Sequence, residues 1–186
     1  MLAHLQQRFD QIELNRARLF TALRSCSSAQ LHSRPKPEAW SINEIIHHVA
    51  LAESFAVAYL EKKLDKISTV KKASWRAVWR TFLLKWVLRS PLKFKAPSPL
   101  VLPASGLELS ELDTQWQSHR QKLQTLLARV TPEMLSLALY RHPVTGLMTV
   151  AQMLTFIEEH FAHHAAQIDR LRKETVEPSN ATFMSR

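Results

Sequence analysis

The stretch TVAQMLTFIEEHFAHHAAQIDRLR, residues 149–172, has the pattern of a long amphipathic helix. Its apolar residues recur at the three- and four-residue spacing that places them on one helical face. They are Val150, Met153, Leu154, Ile157, Phe161, Ile168 and Leu171. Thr149 and Gln152 have the spacing of a capping box, which specifies where the helix starts. The pattern therefore predicts a helix from Thr149 to about Lys173.

Three further segments show helical spacing, at roughly residues 2–24, 41–63 and 110–129. In the second of these, Ser41 and Glu44 form another capping box, and Thr131-Pro132 opens a short helical piece after the third. The 186 residues contain two glycines, which leave almost no material for tight hairpin turns. We therefore predict an all-α protein built as a four-helix bundle.

Length and composition favour a single domain. A chain of 186 residues that is 46% hydrophobic can form one substantial core, so we assign residues 1–186 to one domain with an insertion at 62–103. The N-terminus lacks the basic-then-apolar order of a signal peptide, and a single cysteine, Cys26, cannot form an internal disulfide. No stretch reaches the ~18 uninterrupted apolar residues of a spanning helix. These features predict a cytoplasmic protein that does not cross a membrane.

Five histidines lie on two of the predicted helices, and helical geometry separates them into two groups. His164 falls on the apolar face of the last helix and His160 on its flank, while His48 lies at the edge of the apolar face of the second helix. His47 and His163 are expected to face solvent. Two histidines four residues apart, with a third from a facing helix, can place three nitrogens around one metal ion. The alternative is ordinary amphipathic packing of three histidines.

Three other polar residues are candidates for a role at such a site. Glu53 lies near the centre of an apolar face, where a buried carboxylate needs a partner. It is a candidate catalytic residue, and the alternative is an ion pair across the bundle. Gln167, on the His160 side, is either a hydrogen-bond partner of a ligand or a surface residue. Cys26 follows the first helix, where an incidental thiol is favoured over a nucleophile.

Two segments of the chain resemble the sequence signatures of the DinB-like superfamily. The run RPKPEAWSINEIIHHVALAE, residues 34–53, is similar to its first signature, in which a Trp-Ser helix start is followed eight residues after the Trp by a metal-binding histidine, here His48. The run HPVTGLMTVAQMLTFIEEHFAHHAAQIDRLR, residues 142–172, is similar to the second. In that signature a His-Pro…Gly turn leads into a helix whose H-x-x-x-H carries the other two ligands, here His160 and His164. The resemblance selects the same three residues as the helical geometry.

The resemblance implies a DinB/YfiT-like four-helix bundle, often a homodimer, that holds a divalent metal such as zinc or nickel with three histidines. Some proteins of the family that this sequence resembles are thiol-dependent transferases or isomerases. They use low-molecular-weight thiols such as bacillithiol or mycothiol, and many other members have no known activity. A small-molecule substrate, with such a thiol among the candidates, is therefore expected. The chain lacks HExxH, the metalloprotease motif, so the sequence itself declares no general base beyond the candidate Glu53.

Residues 62–95, KKLDKISTVKKASWRAVWRTFLLKWVLRSPLKFK, carry the positive charge of the chain. They contain eleven Lys or Arg against one acid, Asp65, a net of +10 in a chain whose total is +9. Aromatic and aliphatic residues recur here at helical spacing, namely Trp75, Val78, Trp79, Phe82, Leu83 and Trp86. The segment is therefore predicted to form a basic amphipathic helix with an aromatic face.

Three interpretations of this helix stay open. Its aromatic face covers the bundle or a dimer partner, or residues 71–89 contact a lipid surface, or the segment forms a lid over an anionic, partly apolar substrate. Nucleic-acid binding ranks last, because no recognised motif accompanies the charge. Two functional hypotheses follow. The chain is a metal-dependent transferase or hydrolase, or it is a non-catalytic binding module that uses residues 66–95 at a membrane surface or a protein partner.

Overall fold

The structure, a computed structural model, describes residues 1–73, 106–143 and 146–176. Four long helices dominate it: α1 at Ala3–Leu23, α3 at Ile42–Leu64, α4 at Leu109–Ala128 and α5 at Val150–Val176, with a short α2 at Ser28–His32 between the first two. A 3₁₀ helix at Pro132–Ser136 corresponds to the predicted short helical piece. The all-α prediction is confirmed, and the four long helices lie within a few residues of their predicted bounds.

The helices pack as a four-helix bundle. Helix α3 packs against both α4 and α5, and α1 packs against the same two helices. Helices α1 and α3 are therefore diagonal to each other across the bundle. Each of the other two closes one seam with α1 and one seam with α3, and the seam between α3 and α5 carries the site described below.

The apolar core is divided into two clusters along the bundle axis. Leu60, Leu123 and Leu154 belong to one cluster, and Ile45, Trp116 and Phe161 belong to the other. Between the two clusters each long helix contributes a polar side chain: Arg16 on α1, Glu53 on α3, Arg120 on α4 and His160 on α5. A polar layer thus crosses the bundle, and apolar packing lies on both sides of it.

Both predicted capping boxes are present. The Oγ of Ser41 accepts a hydrogen bond from the Glu44 amide at 3.3 Å, and the Ser41 amide donates to Oε2 of Glu44 at 2.8 Å. The Thr149 amide donates to Oε1 of Gln152 at 2.8 Å, and the Gln152 amide donates back to Oγ1 of Thr149 at 3.3 Å. Each box satisfies backbone N–H groups that have no partner inside the helix, which fixes the starts of the two helices that carry the candidate metal ligands.

A short hairpin interrupts the helical chain, which the low glycine content did not predict. Strand β1 at Tyr140–His142 pairs antiparallel with β2 at Gly146–Met148, with Tyr140 opposite Met148. Gly146 has φ of +83°, a conformation that glycine adopts without steric cost. One well-placed glycine is therefore enough for a hairpin, whatever the total number in the chain.

Most of the 62–103 insertion lies outside the described residues. Its first part is described: α3 continues to Leu64, a 3₁₀ turn covers Ile67–Thr69, and Lys72 forms a single β-bridge with Leu137. The predicted basic amphipathic helix, and with it the binding-module hypothesis, falls on residues that the structure does not describe. No helix in the described parts of the chain combines the length and the apolar character needed to cross a bilayer.

Candidate metal centre

Three histidines meet in the seam between α3 and α5. The ring centroids of His48 and His160 are 5.2 Å apart, those of His48 and His164 are 4.9 Å apart, and those of His160 and His164 are 4.6 Å apart. Each ring offers one nitrogen, and these three atoms all lie within 4.8 Å of one another. Helix α5 places two of them on one face by their four-residue spacing, and α3 supplies the third. Among the described residues this is the one cluster of at least three His, Cys, Asp or Glu with such geometry.

The environment of the two histidines on α5 favours the neutral imidazole. His48 and His164 are buried and His160 is half-buried. Burial and the neighbouring His48 lower the pKa of His164 to about 3. Burial, followed by His164 and His48, also lowers the pKa of His160 well below its ordinary value. Because a metal ion binds the neutral ring through an unprotonated nitrogen, the protein holds these side chains in the form that a metal requires.

Gln167 determines which nitrogen of His164 is available. Its Oε1 lies 3.0 Å from Nδ1 of His164. An amide oxygen only accepts hydrogen bonds, so Nδ1 carries the proton and donates it, and Nε2 is left as the ligand atom. Of the two interpretations made from the sequence, hydrogen bonding to a candidate ligand is therefore the correct one.

Aromatic rings surround the three histidines. The indole of Trp40 lies 4.8 Å from the ring of His48, and the ring of Phe156 stacks on His160 at 5.3 Å. The hairpin residue His142 also packs edge-on against Phe156, with ring centroids 4.6 Å apart. Burial lowers the pKa of His142 to about 4. Aromatic side chains therefore pack directly against His48 and His160.

The helical geometry predicted that His47 and His163 face solvent. Both are half-buried instead. The ring of His163 lies edge-on to His164 at 5.0 Å. Burial lowers the pKa of His47 on α3. Burial also lowers the pKa of His119 on α4, with a smaller contribution from the positive charge that His47 can carry. For His47 the reason is that α4, which carries His119, covers a wider part of α3 than the apolar stripe alone indicates.

The contacts of Glu53 do not leave it free to act as a general base. Its Oε1 lies 2.6 Å from Nε of Arg120, and its Oε2 accepts a hydrogen bond from the indole N–H of Trp116 at 3.1 Å. Both Glu53 and Arg120 are almost completely buried, and burial raises the pKa of Glu53 while the charge of Arg120 opposes that rise. The ion pair across the bundle, the alternative considered from the sequence, is the arrangement that the structure contains.

The guanidinium of Arg120 is incompletely satisfied. Among the described residues, its Nη1 and Nη2 are buried and have no hydrogen-bond partner. The contact of Nε with Glu53 is close in distance but not aligned as a hydrogen bond. Arg16 on α1 has a fuller set of partners, because it pairs with both Glu13 and Asp113. The sequence carried a signal for Arg120 that was missed, because Arg120 lies four residues after Trp116 and three before Leu123, on the apolar face of α4.

The three histidines fit a divalent metal. Nitrogens bound to one zinc ion at about 2.0–2.1 Å lie roughly 3.3 Å apart in a tetrahedron, so small ring rotations bring the three ligand atoms into range. Three imidazoles suit zinc and nickel among the common divalent ions. The fixed tautomer of His164 and the low pKa of the two α5 rings point the same way.

Comparison with known proteins gives two findings. The model of the DinB superfamily matches residues 11–168, which include all three histidines and Gln167. The chain is also 28% identical over 162 residues to the uncharacterized protein YuaE of Bacillus subtilis (strain 168). The aligned region covers 86% of this chain and 95% of that protein.

Proposed function

The chain belongs to the DinB superfamily, and on this premise we propose that it is a metal-dependent enzyme that transfers a group to, or hydrolyses, a small molecule. His48, His160 and His164 hold the ion, which is zinc or nickel. The single observation that carries the proposal is the convergence of three imidazoles from two helices, whose ligand atoms lie within 4.8 Å of one another. Family membership and this cluster together fit a metal-binding protein.

Three protein ligands leave coordination positions for water or substrate, the arrangement of catalytic rather than structural sites. A divalent ion held in this way supplies Lewis acidity, and it lowers the pKa of a coordinated water or thiol toward ~7. Low-molecular-weight thiols are therefore among the substrates that we propose. The protein surroundings determine how well such a group is positioned and how dry the site is.

The residues around the ligands have distinct roles in this proposal. Gln167 accepts the Nδ1 proton of His164 and keeps Nε2 directed at the cluster. Trp40 and Phe156 cover the flanks of His48 and His160 and restrict water there. Glu53 has no part in the reaction in this proposal, because both of its oxygens contact other side chains, Arg120 and Trp116.

Metal content measured by mass spectrometry on untagged protein tests the proposal. We expect about one ion per chain in the wild type, and almost none in His48→Ala and His164→Ala, because two nitrogens hold a divalent ion far more weakly than three. His47→Ala is the matched control, since it removes a neighbouring half-buried histidine of the same helix and should keep the metal. Metal-free wild-type protein after reconstitution at neutral pH would contradict the proposal.

A further inference from the structure

Helices α3 and α4 run in the same direction along the bundle. Near their starts, the side-chain amide of Asn43 donates a hydrogen bond to the carbonyl oxygen of Leu107 at 2.8 Å. Near their ends, Arg129 pairs with Asp65 at 2.7 Å. Short loops join neighbouring helices that run antiparallel, so this parallel pair requires a connection that returns along the length of the bundle.

Both ends of this connection adjoin α3. Beyond the last turn of α3, the amide of Ala73 donates to the carbonyl oxygen of Ser136 at 2.8 Å, which places the outgoing chain beside the segment that leads into the hairpin. Strand β1 of the hairpin in turn packs against α3. The returning chain reaches Leu107, which is bonded to Asn43 in the first turn of α3. The two ends are therefore about 30 Å apart, because each helical residue from Asn43 to Leu64 adds about 1.5 Å.

The outward face of α3 lies between these two ends, and its middle is apolar. Leu51, Phe55 and Ala58 fall within a sector of about 60°, opposite the buried side of the helix. Phe55 is 49% exposed, Ala58 is exposed and Leu51 is half-buried. Glu44 and Lys62 occupy the same sector toward the two ends of the helix. Because the outward side of a bundle helix is ordinarily polar, three apolar residues at its centre indicate that another element covers it.

The chain between the two ends has the length and the sequence to cover this face. It consists of residues 74–105, which lie outside the described residues. About nine extended residues can span about 30 Å, so the connection is long enough to include a helix of several turns. In the sequence, the apolar residues from Trp75 to Trp86 recur at helical spacing and give a stripe about 16 Å long. The apolar stripe from Leu51 to Ala58 is about 10 Å long, so the first stripe can cover the second.

We propose that residues 75–86 form a helix whose aromatic face packs on the outward face of α3, around Phe55. The occupant is the chain's own segment because both of its ends adjoin α3, which gives the segment a higher effective concentration at this face than a separate molecule has. Arg80 and Arg89, on the opposite side of the predicted helix, then face solvent. Of the three interpretations drawn from the sequence, packing on the bundle is the one that the course of the chain favours.

Photo-crosslinking from position 55 identifies the occupant directly. Phe55→p-benzoylphenylalanine places a photoreactive group on the outward face of α3, and mass spectrometry of peptides locates the residue that it captures on irradiation. The matched control is Leu14→p-benzoylphenylalanine, because Leu14 is 44% exposed on α1, which is diagonal to α3. Crosslinks to residues 74–95 of the same chain should be about tenfold more abundant from position 55 than from position 14. Crosslinks between two chains instead, or no excess over position 14, overturn the proposal.

Trypsin cleavage measures how firmly the segment is held on α3. Phe55→Glu removes an apolar contact and adds a charge, so cleavage after the lysines and arginines of residues 74–95 should become about tenfold faster than in the wild type. Leu14→Glu should change that rate by less than about twofold, and thermal unfolding checks that both variants remain folded. Equal rates in the wild type and Phe55→Glu overturn the proposal. Loss of binding to phosphatidylserine vesicles in that case assigns the face to a lipid surface.

Discussion

At the residue scale, the chemistry of the site depends on hydrogen bonds and burial that act on single side chains. His164 illustrates this. Its position on α5 brings it to the seam, but the contact with Gln167 decides which of its nitrogens is free. His142 is a second case: the hairpin buries it against Phe156, and burial rather than a charged partner shifts its pKa.

Gln167→Leu should weaken metal binding without removing it. The substitution keeps the size of the side chain and removes the acceptor for Nδ1 of His164, so the ring loses both its fixed tautomer and its orientation. We expect a loss of about 10- to 100-fold in zinc affinity, measured by competition with a chelator. Gln124→Leu, on the exposed side of α4, should leave the affinity unchanged. Equal affinities for wild type and Gln167→Leu would show that the hydrogen bond does not position the ligand.

His142→Phe should flatten the dependence of stability on pH in metal-free protein. The folded pKa of about 4 is below the ordinary value of 6.5. The unfolded chain therefore takes up a proton first, and the stability contributed by neutral His142 is fully present above pH ~6.5 and is lost as the pH falls toward about 4. The contribution is at most about 3 kcal/mol.

Urea denaturation between pH 4 and 8 measures this effect. The phenylalanine keeps an aromatic ring against Phe156, so the comparison at pH 8 gives the pH-independent cost of the substitution. Below pH 6.5 the variant should lose less stability than the wild type does, and parallel profiles would show that His142 takes up its proton equally in both states.

At the element scale, the helices that carry the ligands are fixed at their starts. The Ser41–Glu44 box at the start of α3 is buried, and the carboxylate of Glu44 also pairs with Arg34 from the preceding loop. Trp40 comes immediately before this box, and its indole contacts His48. The cap therefore fixes the start of α3. It also fixes the position of Trp40, the residue that precedes the cap, beside His48.

Ser41→Ala should destabilise the protein by about 1 kcal/mol, because a buried backbone N–H loses its acceptor. Ser27→Ala, which removes the equivalent exposed cap of the five-residue α2, is the matched control and should cost less. Thermal unfolding of both variants gives the comparison. Similar losses in the two would mean that burial of the α3 cap adds nothing.

At the scale of the whole molecule, the polar layer combines two unlike parts. On the α3–α5 side it contains the three histidines, and toward α1 and α4 it contains Glu53, Arg120 and Arg16. Trp116 connects the parts, since it donates to Glu53 and packs against Phe161 at 6.0 Å. A buried ion pair stabilises little by itself, because desolvation offsets most of the attraction.

Breaking the Glu53–Arg120 pair should cost more than replacing it. Glu53→Met or Arg120→Met alone leaves one buried charge without its partner, and each should destabilise the bundle by about 3–5 kcal/mol in urea denaturation at pH 7. The double variant with both methionines should recover most of that loss. Glu61→Gln, which breaks the exposed pair with Lys122, should change stability by less than about 1 kcal/mol. Additive losses in the double variant would contradict this account.

The sequence by itself determined the four long helices, both capping boxes and the three candidate metal ligands. These features depend on local spacing: a stripe of apolar residues every three or four positions defines a helical face, and Ser41 or Thr149 with a partner three residues on defines its start. The position of His48, His160 and His164 on those faces follows from the same periodicity, which is why helical geometry and the family resemblance selected the same residues.

The tertiary structure decided the features that depend on which helix lies beside which. The pairing of Glu53 with Arg120 and the partial burial of His47 and His163 both depend on residues far apart in the chain. The hairpin at Tyr140–Met148 likewise depends on one glycine at positive φ and on packing against α3. Periodicity reports only the environment that one helix creates for itself, and each of these contacts requires the partner that folding brings to it.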